Sequence, residues 1–296
     1  MLKKSKDEAT VIETGGTIFS LAFHPDGTHL FTGSWDGVRR WRVADGEEVG
    51  TRMGTDFTKA ISVSRDRRWV VCGTSKGASV WDAKPQEKAI EVEGGTDVDT
   101  VDVSPDSTRF ATGTGTSNKN ASIWNVLTGE RLVGPLQHDG PVRAVRFSPN
   151  GEQIATGCLA DSENSVHIFD SHNGDQLVKI NSIEFSYGWF SITPLAWSSN
   201  QQQILVASGR NKIESFDVST GSQLAEWQVH DTGSIVSIAP ASSGKFLATF
   251  AWNSTGISFW DTSTLVQIGP VIEDGPRDSV DCSLAGLHLS CDRRIQ

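Results

Sequence analysis

Apolar and polar residues alternate along this chain in short bursts, and each burst runs into a polar turn. The pattern begins as LAFHPDG at Leu21–Gly27 and returns as ISVSRDR at Ile61–Arg67, VDVSPDS at Val101–Ser107 and VRFSPNG at Val145–Gly151. Looser copies follow as LAWSSNQ at Leu195–Gln201, VSIAPAS at Val236–Ser242 and VDCSLAG at Val280–Gly286. A period of two puts alternate side chains on opposite faces of a strand, so Val101 and Val103 share one face and Asp102 takes the other. Turn signals such as Asp45-Gly46, Thr128-Gly129, Asn173-Gly174 and Thr220-Gly221 separate further strand-length runs. No long amphipathic helical pattern stands out, and the chain reads as all-β.

A second feature keeps phase with the first. Some 20 to 24 residues after the start of each burst comes an aromatic residue, usually followed by an acid or amide. The pairs are Trp41-Arg42, Trp81-Asp82, Trp124-Asn125, Phe169-Asp170, Phe216-Asp217 and Trp260-Asp261, with the aromatics 40, 43, 45, 47 and 44 residues apart. A strand ending in Ser-Pro-Asp-Gly, another ending in Thr-Gly-Ser and a third closing on Trp-Asp together resemble the WD40 repeat. The resemblance runs from about Thr10 to Gln296 and is clearest in repeats one, three, four and six. It implies a seven-bladed β-propeller, each repeat giving a four-stranded blade around a central channel. The large rings of Trp41, Trp81, Trp124 and Trp260 would then fill the layers between blades.

The family commonly ties that Trp to a His, a Ser or Thr, and an Asp, and here the set is broken in most repeats. His138 and His230 stand at the His position of blades four and six, whereas Gly15-Gly16 and Gly94-Gly95 replace it in blades one and three. Asp36 holds the Asp position in blade one, where the His is missing; blade four keeps His138 and Thr156 but has Phe169 for Trp. Blade six comes nearest, with His230, Thr249, Asn253 and Trp260. Each net hydrogen bond contributes only about 0.5–1.5 kcal/mol, so packing is expected to carry a divergent propeller.

Blade seven begins at Ser279, and its aromatic would fall beyond Gln296. The run Ala9-Thr10-Val11-Ile12-Glu13 is expected to supply the outer strand of that blade and close the ring. On this reading residues 1–8 are a tail and residues 9–296 the propeller, with a C-terminally truncated seventh blade as the alternative.

Charge and cysteine usage narrow the setting. With 26 basic and 36 acidic residues the chain carries −10, which argues against a general nucleic-acid binder. No run is long enough to span a bilayer and MLKKSKDEAT lacks the apolar stretch of a secretory signal, so no membrane role is expected. Cys72, Cys158, Cys282 and Cys291 show no Cys-x-x-Cys spacing and read as buried free thiols of a reducing compartment. A cytoplasmic location follows, with the nucleus as an alternative, and the sequons at Asn120 and Asn253 read as chance.

Candidate chemistry is sparse. Ser243-Gly244-Lys245 suggests a phosphate loop, but Ala239 replaces the leading Gly and Phe246 the closing Ser or Thr, leaving an ordinary turn. Gly113–Ser117 lacks dinucleotide-binding spacing. A strand would not aim both His167 and His172 at one metal. Arg65, Arg67 and Arg68 form a basic turn that could meet an acidic partner or simply be solvated. No cofactor, metal site or catalytic set is expected.

Three tryptophans fall outside strands and repeat positions. Trp35 and Trp252 share a register, Thr32–Asp36 aligning with Thr249–Asn253, and the loop leading into blade five adds Tyr187, Trp189 and Phe190. In the family such loops gather on one rim, called the top, and large amphipathic rings dominate protein–protein hot spots. These five residues are the candidate partner-binding set, against the alternative that they fold back onto their own blades. The leading functional reading is a non-catalytic scaffold, a monomer or a subunit of a hetero-complex, binding a peptide or protein partner. A second is a sensing module of a larger protein, such as those beside NACHT-type ATPase domains. A third is a propeller enzyme or small-molecule binder using the central channel.

Overall fold

The computed structural model describes residues 12–273 apart from short segments at 93–96, 116–117, 161–163, 182, 184–194, 209–210, 230–234, 241–244 and 252–255. These residues form six antiparallel sheets, one after another along the chain. Blade three shows the plan, with Val98–Val103, Arg109–Thr114, Asn120–Asn125 and Arg131–Gln137 pairing in sequence order. The first strands of successive blades lie against one another and are therefore innermost; they are Ser20–Phe23, Thr58–Val63, Val98–Val103, Val142–Phe147, Leu195–Trp197 and Ile235–Pro240. Blade one has three regular strands. Its outer edge is closed by bridges Val38↔Met53 and Trp41↔Glu48, between which Gly50 breaks the run at a φ of 81°. The expected seventh blade and the closing strand at Ala9–Glu13 fall largely outside the described residues.

The core is divided into layers between blades. Trp81 packs with Ala22, Phe31, Val38 and Met53 of blade one. Trp124 lies against the layer between blades two and three, Phe169 in the next, and Phe216 and Trp260 in the two that follow. Each of these five repeat aromatics therefore faces the blade before its own. Directly across the sheet from these rings stand Val70, Phe110, Ile154, Ile204 and Leu247, all fully buried. Alternation alone placed Asp102 opposite the valines; that side is another blade, where Asp102 accepts the Phe147 amide at 2.8 Å.

The second strand also decides how each aromatic is tied. In blades one, three and six the indole N–H donates to Thr32, Thr112 and Thr249 at 2.8–2.9 Å. Blade two has Cys72 at that position, and Trp81 donates instead to Ser79 on its own strand at 2.9 Å. Blade five has Val206 there and Phe216 in place of Trp, so no polar atom is left unpaired. Blade four keeps Thr156, which bonds His138 Nε2 at 2.8 Å because Phe169 has nothing to donate. The expected His–Thr link thus survives in blade four, while Asp36 is used at the surface rather than inside blade one. Of the blade-six set, His230 and Asn253 lie outside the described residues.

The acid or amide after each aromatic has a different job. Asp82, Asn125, Asp170, Asp217 and Asp261 each accept the backbone amide two residues on, which fixes the turn into the outer strand. Cys72 and Cys158 are buried and unpaired. No helix among the described residues is long and apolar enough to cross a membrane.

Candidate partner-binding rim

Trp35 sits at the tip of the hairpin joining His29–Ser34 to Gly37–Arg42. The turn is tight against the segment that closes the outer edge of its own blade. A Cβ on Gly37 would lie 2.3 Å from the Gly54 carbonyl oxygen, and the φ of 107° there also requires glycine. With the backbone pinned inward, the Trp35 side chain projects outward and remains 60% exposed. It neither folds into the blade nor stands free. Phe57 stacks on one face at 4.2 Å between centroids, and Phe19 meets it edge-on at 4.9 Å. Phe19 and Phe57 contact each other at 4.7 Å, so the three rings form a shelf over the junction of blades one and two.

Charged groups continue the rim from this shelf. The Lys59 ammonium lies 5.7 Å from the Phe57 centroid, bonds Asp99 at 2.7 Å and pairs with Asp97. Asp99 is buried and takes Arg143 on its other oxygen. Lys59, Asp99 and Arg143 occupy the same register in the inner strands of blades two, three and four, so one carboxylate joins three blades. Although burial opposes it, the Asp97 and Asp99 carboxylates hold the Lys59 ammonium above its usual range. Beside Trp35, Asp36 accepts Ser34 Oγ at 2.6 Å and Arg39 at 3.0 Å and pairs with Arg52 at 2.6 Å. The Ser34 hydroxyl and the two guanidinium groups keep its carboxyl below the ordinary carboxylate range.

Of the five candidate residues, Trp35 is described; Tyr187, Trp189, Phe190 and Trp252 lie outside the described residues. Phe19 and Phe57 escaped notice because single aromatics ahead of a strand look like core. The signal that could have found them is their shared place, immediately leading into the inner strands of blades one and two. The Lys59–Asp99–Arg143 set was legible only by aligning inner strands and reading down one register.

A further polar chain lies in blade four. Ser165, His167 and Gln176 form a hydroxyl–imidazole–amide chain with links of 2.8 and 2.9 Å. Ser165 and His167 are buried, and their neighbours His138 and Phe169 fill the space around the ring. His172 stands apart on an exposed turn, so the two histidines do not converge. Among the described residues no cluster of three or more metal-binding side chains occurs.

Consecutive antiparallel blades, with an aromatic from each of blades two to six facing the blade before it and an Asx turn after that aromatic, define a β-propeller of tandem repeats. Its repeats are similar to those of the WD40 repeat family. The family model, described as WD domain, G-beta repeat, matches residues 8–38 and 131–170. Among similar proteins, the eukaryotic translation initiation factor 3 subunit I of Aspergillus terreus is 26% identical over 73% of this chain and 53% of its own length. The guanine nucleotide-binding protein subunit beta of Arabidopsis thaliana is 27% identical over 51% of this chain and 43% of its own. The serine-threonine kinase receptor-associated protein of Dictyostelium discoideum is 28% identical over 41% of each. The chain thus spans about half the length of these relatives. A solved β-propeller domain from Myceliophteria thermophila superposes with a TM-score of 0.69 at 16% identity, covering 87% of this chain and 88% of that one. Kuenenia stuttgartiensis hydrazine synthase gives 0.73 at 15% identity, covering 89% and 81%. At these identities the two structures establish the fold alone.

Proposed function

We propose that this propeller is a non-catalytic scaffold that binds a peptide or protein partner on its top rim, with Trp35 as an anchor. The observation that carries the reading is an indole 60% exposed yet held rigid between Phe57 and Phe19. A fixed aromatic face offers contact area with little ordering cost, the property of residues that dominate interfaces. Lys59, Asp97 and Asp36 supply polar groups around it. In sequence Trp252 shares the register of Trp35, and Tyr187, Trp189 and Phe190 precede the inner strand of blade five; all four are included in the proposed set on that sequence reading alone. Two relatives are named as subunits and a third as receptor-associated, which supports assembly with other proteins. The buried setting of the Ser165–His167 pair supports a non-catalytic role. The proposed location is cytoplasmic.

Affinity capture from native lysate, comparing wild type with a Trp35/Trp189/Trp252 triple alanine variant of matched thermal stability, tests this. A partner retained by wild type and lost by the variant is expected. Identical partner sets would remove the rim aromatics as anchors.

A further inference from the structure

On the opposite rim, the turn Ser64–Arg68 joins the inner strand of blade two to its second strand. Neighbours fix it from both sides. The Arg67 carbonyl faces His24 Nε2 at 3.4 Å, and the Asp66 amide donates to Ser107 Oγ at 3.2 Å. The one acid in the turn is engaged locally, since Asp66 Oδ1 accepts both the Ser64 hydroxyl and the Arg68 amide. Arg65 and Arg67 are exposed, and neither has an ion-pair partner among the described residues. The Arg68 guanidinium lies 4.3 Å from the Trp69 ring centroid and 3.7 Å from Asp82, with its side chain still 59% exposed.

The backbone makes Arg67 notable. Its φ is 69°; the matching residues are Gly27 at 71° and Gly151 at 79° in blades one and four, and Ser107 at 62° and Gln201 at 63° in blades three and five. Ser107 Oγ and Gln201 Oε1 each accept a backbone amide from the turn of the blade before, that of Asp66 and that of Asn150. A long side chain in the left-handed region is less stable there than glycine. Among the described residues the Arg67 side chain gains no bond in return. A local rule broken without compensation inside the fold points outward, to binding. The cluster is also a local reversal of sign on a chain that carries −10 overall.

We propose that this turn docks an acidic peptide segment of a partner protein, Arg65 and Arg67 taking its carboxylates and Arg68, steadied by Trp69, adding a third contact. The planar guanidinium fork matches a carboxylate in two parallel hydrogen bonds, which an ammonium cannot do. The site is on the rim away from Trp35 and stands or falls independently of it.

A fluorescein-labelled dodecapeptide of alternating Glu and Ser, titrated with the full chain by anisotropy at about 50 mM and about 300 mM salt, tests the proposal. Wild type should bind, more weakly at the higher salt. Arg65→Ala with Arg67→Gly should weaken binding at least about tenfold. The same loss of charge on the other rim, Arg52→Ala with Lys76→Ala, should change it less than about twofold. Arg67→Gly alone should weaken binding while the melting temperature holds or rises, a combination that a structural role for Arg67 would not give. The proposal is overturned if wild type fails to bind at low salt or the double variant binds as tightly as wild type. Stronger retention on phosphatidylserine vesicles than on the peptide would also overturn it, in favour of a lipid surface.

Discussion

Mild acid should weaken this propeller through two imidazoles buried in blade four. His138 donates from Nδ1 to the Leu136 carbonyl at 2.9 Å and accepts from Thr156 at Nε2. His167 packs edge-on against it at 4.8 Å, with Ser165 and Gln176 on its two nitrogens. Neither ring has a carboxylate within hydrogen-bonding distance; Asp139, the nearby acid, faces Lys179 at 3.6 Å. Burial, and then repulsion from His167, push His138 down to about 4, and burial lowers His167 as well. An unfolded histidine takes up its proton near 6.5, so below that pH the unfolded chain binds more protons than the folded one. Stability is therefore full above about pH 6.5 and falls as pH drops towards about 4. At pH 5 the His138 share comes to about 2 kcal/mol, or about 3 °C in Tm for a chain of this size. Asp261, the carboxyl whose hydrogen bonds with Ser263 and Thr264 bring it to about 2, titrates below this window. Scanning calorimetry from about pH 7.5 to 5 should show wild type losing about 3 °C more than His138→Gln. Parallel curves for the two proteins would refute the argument.

Two tryptophans should behave as opposites. Trp81→Ala empties the layer between blades one and two and should cost about 3–5 kcal/mol, or about 5–8 °C, whereas Trp35→Ala should cost no more than about 1 kcal/mol by thermal melting. Asp99→Asn leaves Lys59 and Arg143 without their shared carboxylate. Because both cations are partly solvated, the loss should be about 1–2 kcal/mol by denaturant titration, and a neutral result would make the three-blade link decorative. Burial raises the Cys72 thiol to about 12, so iodoacetamide mapping should find Cys72 alkylated only in denaturant. Labelling of the native protein would contradict its enclosure.

The blade plan was legible because it is periodic: Trp81, Trp124 and Trp260 announced their places by spacing, and Trp69 and Trp197 by the strands around them. What spacing could not show was which partner each aromatic would find. Thr32, Thr112 and Thr249 lie 9, 12 and 11 residues from their tryptophans, on a neighbouring strand whose register depends on hairpin length. The rim was half legible. Trp35 was recognisable as a tryptophan outside the repeat register, but its stacking on Phe57 joins two blades, and contacts between blades leave no short-range trace. Asp36 shows the converse error. Its position matched a structural role, yet with no histidine to receive it the carboxylate turned to Ser34, Arg39 and Arg52.

Trp35 and Trp41 are six residues apart in one hairpin, and one is 60% exposed while the other is 5% exposed. Residue type cannot explain that difference. Trp41 lies within a strand, where the period of two turns it towards an adjoining layer and Thr32 accepts its N–H. Trp35 occupies a two-residue tip whose following glycine lies against Gly54, so its ring can go only across the rim. Layer positions are tightly coupled: a change from Trp to Phe goes with Val206 in blade five and with a His–Thr bond in blade four. Rim positions answer to no such partner, so their composition is free to follow what binds there. That separation lets the same blade chemistry hold the ring while the loops carry specificity. It is also why an exposed aromatic or an uncompensated arginine on a rim says more about function than any of the repeat tryptophans.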